Sequence, residues 1–465
     1  MCGRIKRAVF LVACWAMPLA LFLGHAQASG VKRYKGKFAD GATYLIQVPS
    51  KWNGTLVLYS HGYVVQGSSN PAMDVGDPIT GAYLLANGYA LGGSSYATTG
   101  WAIQQALPDQ IEVLDTFNKL VGAPKRTIAW GHSLGGMVTA GLVQRYPTRF
   151  DAALPMCGVV AGGVGTWNQA LDLAFAFDVL LGAGSGLQLV DITNPAKNLG
   201  IAEGILTDAQ KTAKGRARIA LAAALADSPG WFDPLSPEPP PTDYAAEEKN
   251  QDLWLSQIDF PFAFALRAEV EGRAGGNPSW NNGVDYTKQL ALSIDKAEVQ
   301  GLYQKAGLDL ATDLMAVNNA ARIMAQPSAV EYMKRNIIFN GEIPIPVLTL
   351  HTKGDGLVGV ENESAYKDVV EDGKDEKFLR QVFVHRAGHC EFTPAETVVA
   401  FQGLVERLDT GNWPGLESGS LNKAAKGLGK KLNVLEVNGK EVPVAPAYFE
   451  FQPAVFLRPY DAGKN

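Results

Sequence analysis

The stretch "AWGHSLGG", from Ala129 to Gly136, surrounds one serine with residues that have little or no side chain. Gly131 lies two residues before Ser133, and Gly135 lies two residues after it. The preceding "RTIAW" is typical of a buried strand, and the following "MVTAGLVQRY" is typical of a helix. A strand that turns directly into a helix exposes the side chain at its apex, and flanking glycines relieve the crowding. Ser133 is therefore a candidate nucleophile.

The G-x-S-x-G spacing is weak evidence alone, because a chain with 50 glycines often contains it by chance. An ordinary tight turn is the alternative. The surroundings favour the nucleophile, because short apolar runs alternate with helical patterns, as in parallel βαβ units. A helix is predicted from Pro108, capped by Asp109, and another over 394–408. The predicted strands cover residues 55–62, 88–96, 126–133, 152–158, 345–355 and 380–390.

The first 28 residues predict a secretory signal peptide. Arg4, Lys6 and Arg7 precede an apolar run that ends near Gly24, and small residues follow where a signal peptidase cleaves. A membrane anchor and a lipoprotein signal are the alternatives, but the run contains Pro18 and is short for a span. We expect a secreted or periplasmic protein with no stable membrane span after cleavage.

The rest of the composition describes an ordinary globular chain, with 47% hydrophobic and 19% charged residues. Without the leader, acids exceed bases by about 8, and no basic cluster is present. Nucleic-acid binding is therefore not expected. Metal-ligand spacings, P-loops and dinucleotide glycine patterns are also lacking, so we predict no cofactor and no metal.

A serine nucleophile needs a base and a group that orients the base. In parallel α/β sheets the chemistry gathers where the strands end. His389 follows the last predicted strand of the sheet, whereas His132 adjoins the serine, and His351 and His385 lie inside strands. His389 is therefore the predicted base. Asp355 closes the strand "VLTLHTKGD" and is the predicted orienting acid, with Glu361 or Glu363 as alternatives.

The order Ser133, Asp355, His389, together with "HG" at His61-Gly62, resembles the α/β-hydrolase superfamily. The resemblance implies a mostly parallel eight-stranded sheet with helices on both faces. It also implies a core from residues 29–160 and 343–412, and a helical lid from the inserted residues 161–342. A C-terminal extension, 413–465, follows, with a hairpin candidate at Asn438-Gly439.

The resemblance also implies an oxyanion hole. One donor is the amide of Leu134, which starts the helix after the nucleophile. The other is the amide of Tyr63, directly after His61-Gly62. A plain β-turn at this dipeptide is the alternative.

Cys157 and Cys390 are the cysteines that remain after the leader. In an oxidising compartment they are expected to pair, although two buried free thiols are possible. Secreted tannase-like and feruloyl esterase-like enzymes resemble this arrangement, with a cysteine after the histidine. They also carry a cysteine before the serine, where this chain has His132, so their substrates are not transferred.

These features predict a carboxylic-ester hydrolase that acts through an acyl-enzyme. The Leu-, Ala- and Phe-rich inserted residues suggest a small or polymeric ester with an apolar or aryl acyl group. A serine peptidase or amidase of the same fold, an acyl transferase and a catalytically dead binding protein remain as alternatives.

Overall fold

The computed structural model describes residues 30–460. The signal peptide predicted at 1–28 lies outside the described residues. Within them, the strands are β1 Val31–Lys37, β2 Thr43–Pro49, β3 Thr55–Ser60, β4 Ala90–Ser94, β5 Arg126–His132, β6 Ala152–Met156, β7 Val347–Gly354, β8 Leu379–Ala387, β9 Val434–Val437, β10 Lys440–Pro443 and β11 Tyr448–Phe449.

The helices fall into three groups along the chain, before, between and after strands β6 and β7. They are α1 Pro78–Ala86, α2 Ile103–Leu120, α3 Leu134–Arg145, α4 Gly162–Phe177, α5 Pro195–Ala209, α6 Ala213–Ala224, α7 Tyr244–Trp254, α8 Arg267–Ala274, α9 Tyr286–Leu292, α10 Lys296–Ala306, α11 Leu310–Asn319, α12 Pro327–Asn336, α13 Asn362–Asp372, α14 Pro394–Thr410 and α15 Ser418–Gly427. Within residues 30–460, no helix is both long enough and apolar enough to cross a bilayer.

One nine-stranded sheet has the order β1-β2-β4-β3-β5-β6-β7-β8-β11. Strands β4, β3, β5, β6, β7 and β8 run parallel to one another, and β1, β2 and β11 pair antiparallel. The predicted mostly parallel sheet is confirmed, with nine strands instead of eight. The additional strand, β11, has two residues, and it pairs with Val384 and Phe383 at the edge of β8. A strand this short carries no periodic signal.

Alternate residues of β3 point to opposite faces of the sheet, which explains why helices cover both faces. Leu56 and Leu58 belong to a core with α2 and α3, whereas Val57 and Tyr59 belong to a core with α1 and α14. The buried runs predicted from the sequence are therefore strands with two covered faces.

Helix α2 differs from its prediction. It begins at Ile103, and Pro108 lies inside it. Asp109 is therefore not its cap. The Asp109 carboxylate is buried and accepts a hydrogen bond from the Ala97 amide at 2.8 Å. The helix extends toward its N-terminus because it buries Ile103 and Leu107 there. The stabilisation from this burial outweighs the cost of the hydrogen bond that Pro108 cannot donate.

Between β6 and β7 the chain forms helices α4 to α12, which we call the inserted region (residues 161–342). Its helices bury a Leu-, Ala- and Phe-rich cluster of their own, to which α6 contributes most of its length and α4 contributes its last turn, residues 173–177. After α15 the chain forms the predicted hairpin, β9–β10, whose turn residues Asn438 and Gly439 both have positive φ. The chain then returns to the inserted region, where Arg458 pairs with buried Asp172 at 2.6 Å.

Candidate active site

Ser133 lies between β5 and α3 with φ 59° and ψ −127°, a backbone conformation that residues other than glycine rarely adopt. The flanking glycines permit this turn. A Cβ atom at Gly131 would lie 2.5 Å from the carbonyl oxygens of Gly135 and Ser60, and one at Gly135 would lie 2.0 Å from the Ser60 oxygen. The backbones of β3, β5 and α3 therefore approach too closely for any larger residue at these two positions.

The Asp355 carboxylate and the His389 imidazole meet beyond the ends of β7 and β8. His389 Nδ1 lies 2.7 Å from Asp355 Oδ2, and the other carboxylate oxygen accepts the amides of Leu357 and Val358 at 3.1 and 3.0 Å. The Asp355 side chain is fully buried, and 15% of the His389 side chain is exposed. An Nδ1–H that donates to the carboxylate leaves Nε2 as the proton acceptor.

The electrostatic environment keeps Asp355 ionised. Burial by itself would raise the pKa of its carboxyl group. The charge and hydrogen bond of His389, together with those of buried His351, outweigh the burial and lower the pKa below its ordinary value. The carboxylate can therefore orient His389 and stabilise an imidazolium that forms there.

Backbone links and a disulfide connect the serine turn to the histidine loop. The Ser133 amide donates to the Met156 carbonyl at 3.0 Å, and the next residue, Cys157, is disulfide-bonded to Cys390. On the other side, the Gly388 amide donates to the Gly354 carbonyl at 2.9 Å. The chain segments that carry Ser133, Asp355 and His389 are thus joined at the carboxyl end of the sheet.

His389 Nε2 faces the disulfide, with Cys390 Sγ at 3.4 Å. Among residues 30–460, Ser133 Oγ makes no hydrogen bond with the imidazole. Catalytic hydrogen bonds are often long before substrate binds and shorten in the reacting complex. A working triad requires the Ser133 hydroxyl and Nε2 of His389 to come within hydrogen-bond distance when substrate binds.

Of the two predicted oxyanion donors, the amide of Leu134 directly follows Ser133, and the amide of Tyr63 directly follows Gly62 in the loop after β3. Leu134 is the first residue of α3, so its N–H has no acceptor within the helix. A Cβ atom at Gly62 would lie 3.3 Å from Ser133 Cβ, which places the loop after β3 directly against the nucleophile.

His61 orients this loop. Its Nδ1 lies 2.8 Å from the Gly62 carbonyl oxygen, and its ring stacks on Tyr96 with centroids 3.9 Å apart. Burial lowers the pKa of His61, so the neutral ring donates from Nδ1. Because a trans peptide points its C=O and N–H in opposite directions, the Tyr63 amide faces away from His61.

The remaining histidines have other partners. His132 Nδ1 lies 3.2 Å from Tyr59 Oη, and burial, with the charge of His389, lowers its pKa to about 4. His385 pairs with Glu238 at 2.7 Å on the outer side of β8. His351 lies beside Asp355, a position whose importance the sequence pattern did not reveal. Glu363, one of the alternative acids, contacts His351 and not His389.

One group of possible metal ligands lies together in the described part of the chain, formed by Cys157, His389 and Cys390. The two sulfurs are joined to each other, so in this state they are not thiolate ligands.

The parallel sheet, the strained serine turn and the Asp–His pair at the strand ends define a serine hydrolase of the α/β-hydrolase superfamily. A family model described as the prolyl oligopeptidase family matches residues 93–163, which include the serine turn. An o-phthalyl amidase of Xanthobacter agilis is 30% identical over 441 residues, covering 88% of this chain and 94% of that protein. The chain belongs to the family of this amidase.

Two solved structures that align with most of this chain are less similar to it in sequence. Feruloyl esterase B from Aspergillus oryzae is 12% identical, with a TM-score of 0.40, over 83% of this chain and 81% of that one. An acylaminoacyl peptidase of Pyrococcus horikoshii is 10% identical, also with a TM-score of 0.40, over 84% of this chain and 44% of that one.

Proposed function

We propose that this protein hydrolyses the bond between an aromatic carboxylic acid and an amine, as an aryl-acyl amidase. The supporting observation is the relationship to o-phthalyl amidase along nearly the whole of both chains. The Asp355–His389 pair and the strained Ser133 turn, joined at the same end of the sheet, supply the groups that such a reaction needs.

In the proposed reaction, Ser133 Oγ attacks the carbonyl carbon while His389 Nε2 takes the hydroxyl proton. The oxyanion is stabilised by the amides of Leu134 and Tyr63, and each such donor contributes about 3–4 kcal/mol to lowering the barrier. His389 then gives its proton to the leaving amine, and an acyl-enzyme remains on Ser133. Water, deprotonated by His389, attacks the acyl-enzyme and releases the acid.

Aromatic side chains of the inserted region approach two loops of the site. The Phe262 ring meets the Tyr63 ring edge to face, with centroids 5.4 Å apart. The Trp254 ring covers Gly356, where a Cβ atom would come within 2.2 Å of it, next to Asp355. Aromatic surfaces beside the oxyanion loop and the acid loop suit an aryl acyl group.

Carboxylic-ester hydrolysis is the second candidate, favoured by the same triad, because an acyl-enzyme forms from an ester as readily as from an amide. An ester places less demand on His389 as an acid, since an alkoxide leaves more easily than an amide anion. The two activities therefore differ in the leaving group and not in the acyl pocket.

The experiment that tests these candidates compares an anilide with an ester of the same acyl type. We expect the enzyme to cleave phthalanilic acid and benzanilide, with p-nitrophenyl benzoate as the matched ester and Ser133→Ala as the inactive control. Turnover of the ester alone would support the second candidate. No turnover, together with no labelling of Ser133 by a fluorophosphonate probe, would contradict both and favour a binding protein.

We also propose that the mature protein is exported, after cleavage of the leader at residues 1–28. The Cys157–Cys390 disulfide supports this, because disulfides persist in oxidising compartments. Expression of the full chain followed by N-terminal sequencing of the secreted fraction tests the proposal. A protein that stays inside the cell with its leader intact would contradict the proposal.

A further inference from the structure

We infer that His351 is a positioning residue for the triad, a buried imidazolium that holds the Asp355 carboxylate in place beneath His389. This inference rests on the proposed function, because it assumes that Asp355 serves His389 in catalysis. His351 lies on β7, four residues before Asp355, and none of its surface is exposed. Its ring contacts the carboxylate of the triad on one side and a second carboxylate on the other.

The hydrogen-bond partners of the ring determine where its protons lie. Nε2 lies 2.8 Å from the Val358 carbonyl oxygen and 3.5 Å from Asp355 Oδ2. Both of these atoms accept hydrogen bonds, and a carbonyl oxygen can do nothing else, so Nε2 carries a proton. Nδ1 lies 3.0 Å from Glu363 Oε1.

The hydrogen-bond donors around Glu363 place the proton between the two groups on His351. Glu363 Oε2 accepts from Thr349 Oγ1 at 2.5 Å and from Gln381 Nε2 at 2.6 Å. Two donors on one carboxylate oxygen stabilise negative charge there. Nδ1 of His351 is then the donor to Glu363, and the ring is doubly protonated.

The pKa of His351 agrees with this geometry. Burial by itself lowers the pKa, but the hydrogen bonds and charges of Asp355 and Glu363 outweigh burial and raise it to about 10. Other titratable groups face this cluster. Glu361, on the loop after β7, interacts electrostatically with His351 and Asp355. Tyr366 of α13 interacts in the same way with Glu363. Asp259 of the inserted region interacts with Asp355.

The positive ring of His351 therefore lies between the carboxylates of Glu363 and Asp355, and Asp355 in turn contacts His389. Asp355 Oδ2 is shared, at 2.7 Å from His389 Nδ1 and 3.5 Å from His351 Nε2. The positive charge of His351 offsets part of the attraction that Asp355 exerts on a proton at His389. Removal of the His351 charge should therefore strengthen this attraction.

Replacement of His351 by glutamine tests the inference, because glutamine keeps a hydrogen-bond donor and loses the charge. The rate at which a fluorophosphonate labels Ser133 is measured against pH, which requires no knowledge of the substrate. We expect the acidic limb of the profile to move upward by about one pH unit in His351→Gln. His385→Gln, on the neighbouring strand and paired with Glu238, is the matched control, with an unmoved limb.

Loss of labelling at all pH values in the unmodified protein would contradict the proposed function itself. Normal labelling of the unmodified protein with an unmoved limb in a folded His351→Gln variant would overturn the positioning role and leave the function standing. A purely structural histidine would change the amount of folded protein and leave the limb in place.

A measurement on the unmodified protein covers the case in which the variant does not fold. Nitrogen-15 NMR of histidine-labelled protein distinguishes imidazolium from neutral rings. We expect one ring, assigned by elimination with His385→Gln, to remain doubly protonated at pH 8, where an ordinary histidine is neutral. A spectrum in which every histidine is neutral at pH 8 would overturn the inference.

Discussion

The carboxyl end of the sheet and the inserted region hold their functional groups in different ways. At the sheet, backbone hydrogen bonds and a disulfide join the loops that carry Ser133, Asp355 and His389. The inserted region carries Phe262 and Trp254 on helical segments. Side-chain contacts hold these segments against the rest of the protein; for example, the Trp101 amide donates a hydrogen bond to the Glu269 carboxylate at 3.1 Å. Loops joined by backbone hydrogen bonds and a disulfide can move little relative to one another. A side-chain contact, by contrast, can be replaced by substitution of the residue that makes it.

This difference suggests a division of labour. On this proposal, the sheet supplies chemistry that is common to many acyl bonds, and the inserted region selects the acyl group. Substitutions at the sheet edge should therefore reduce turnover of every substrate by the same factor. Substitutions at the aromatic side chains of the inserted region should reduce turnover of some substrates and spare others.

The largest effect is expected for Ser133→Ala. Loss of the nucleophile should lower kcat by about 10⁵-fold or more for amides and esters alike. Thermal stability should change little, because the side chain makes no hydrogen bond within residues 30–460. Differential scanning calorimetry and single-turnover kinetics measure both, with Ser256→Ala of the inserted region as the control. Retained turnover would show that the nucleophile lies elsewhere.

Asp355→Asn should have the next largest effect, a loss of about 10³–10⁴-fold in kcat. The amide nitrogen would favour the wrong tautomer of His389, so that Nε2 could no longer accept a proton. Asp309→Asn, an exposed helix cap, is the matched control and should retain full activity. An equal loss in both variants would indicate a general effect on folding.

Removal of the disulfide should destabilise the sheet edge more than the inserted region. The bridge closes a chain separation of 233 residues, and Cys157→Ala with Cys390→Ala should lower the free energy of unfolding by about 2–5 kcal/mol. Denaturant titration of the double variant measures the loss. Activity should fall for all substrates by one common factor, and a loss confined to one substrate would contradict the division of labour.

Phe262→Ala should have the smallest effect and the most selective one. Loss of the ring beside Tyr63 should raise KM for benzoyl and phthalyl substrates about tenfold, because a buried aromatic contact contributes about 1–2 kcal/mol. Turnover of an acetyl ester should be unchanged. Leu292→Ala, whose side chain is largely exposed in the same region, is the control. Equal losses for acetyl and benzoyl substrates would place Phe262 outside the acyl pocket.

Much of the fold could be predicted from the sequence because its strands are short apolar runs next to turn residues. The strands around Ser133, Asp355 and His389 begin and end within a few residues of their predicted limits. Strands β1 and β2 were not among the strands predicted from the sequence. The prediction also failed at α2, where buried apolar residues extend the helix past Pro108, and at β11, whose two residues pair only because β8 offers an edge. Both depend on contacts between segments distant in the chain.

The sequence by itself determined the kinds of group available for catalysis and the order in which they occur. The glycines around Ser133 indicate a turn that no other residue permits, and Asp355 and His389 stand where parallel strands end. Those are local properties of the chain. Only the tertiary structure decided that His351 lies between two carboxylates and that the ring of Phe262 packs against the ring of Tyr63. Burial and charge pairing arise between segments far apart in sequence, and no local pattern records them.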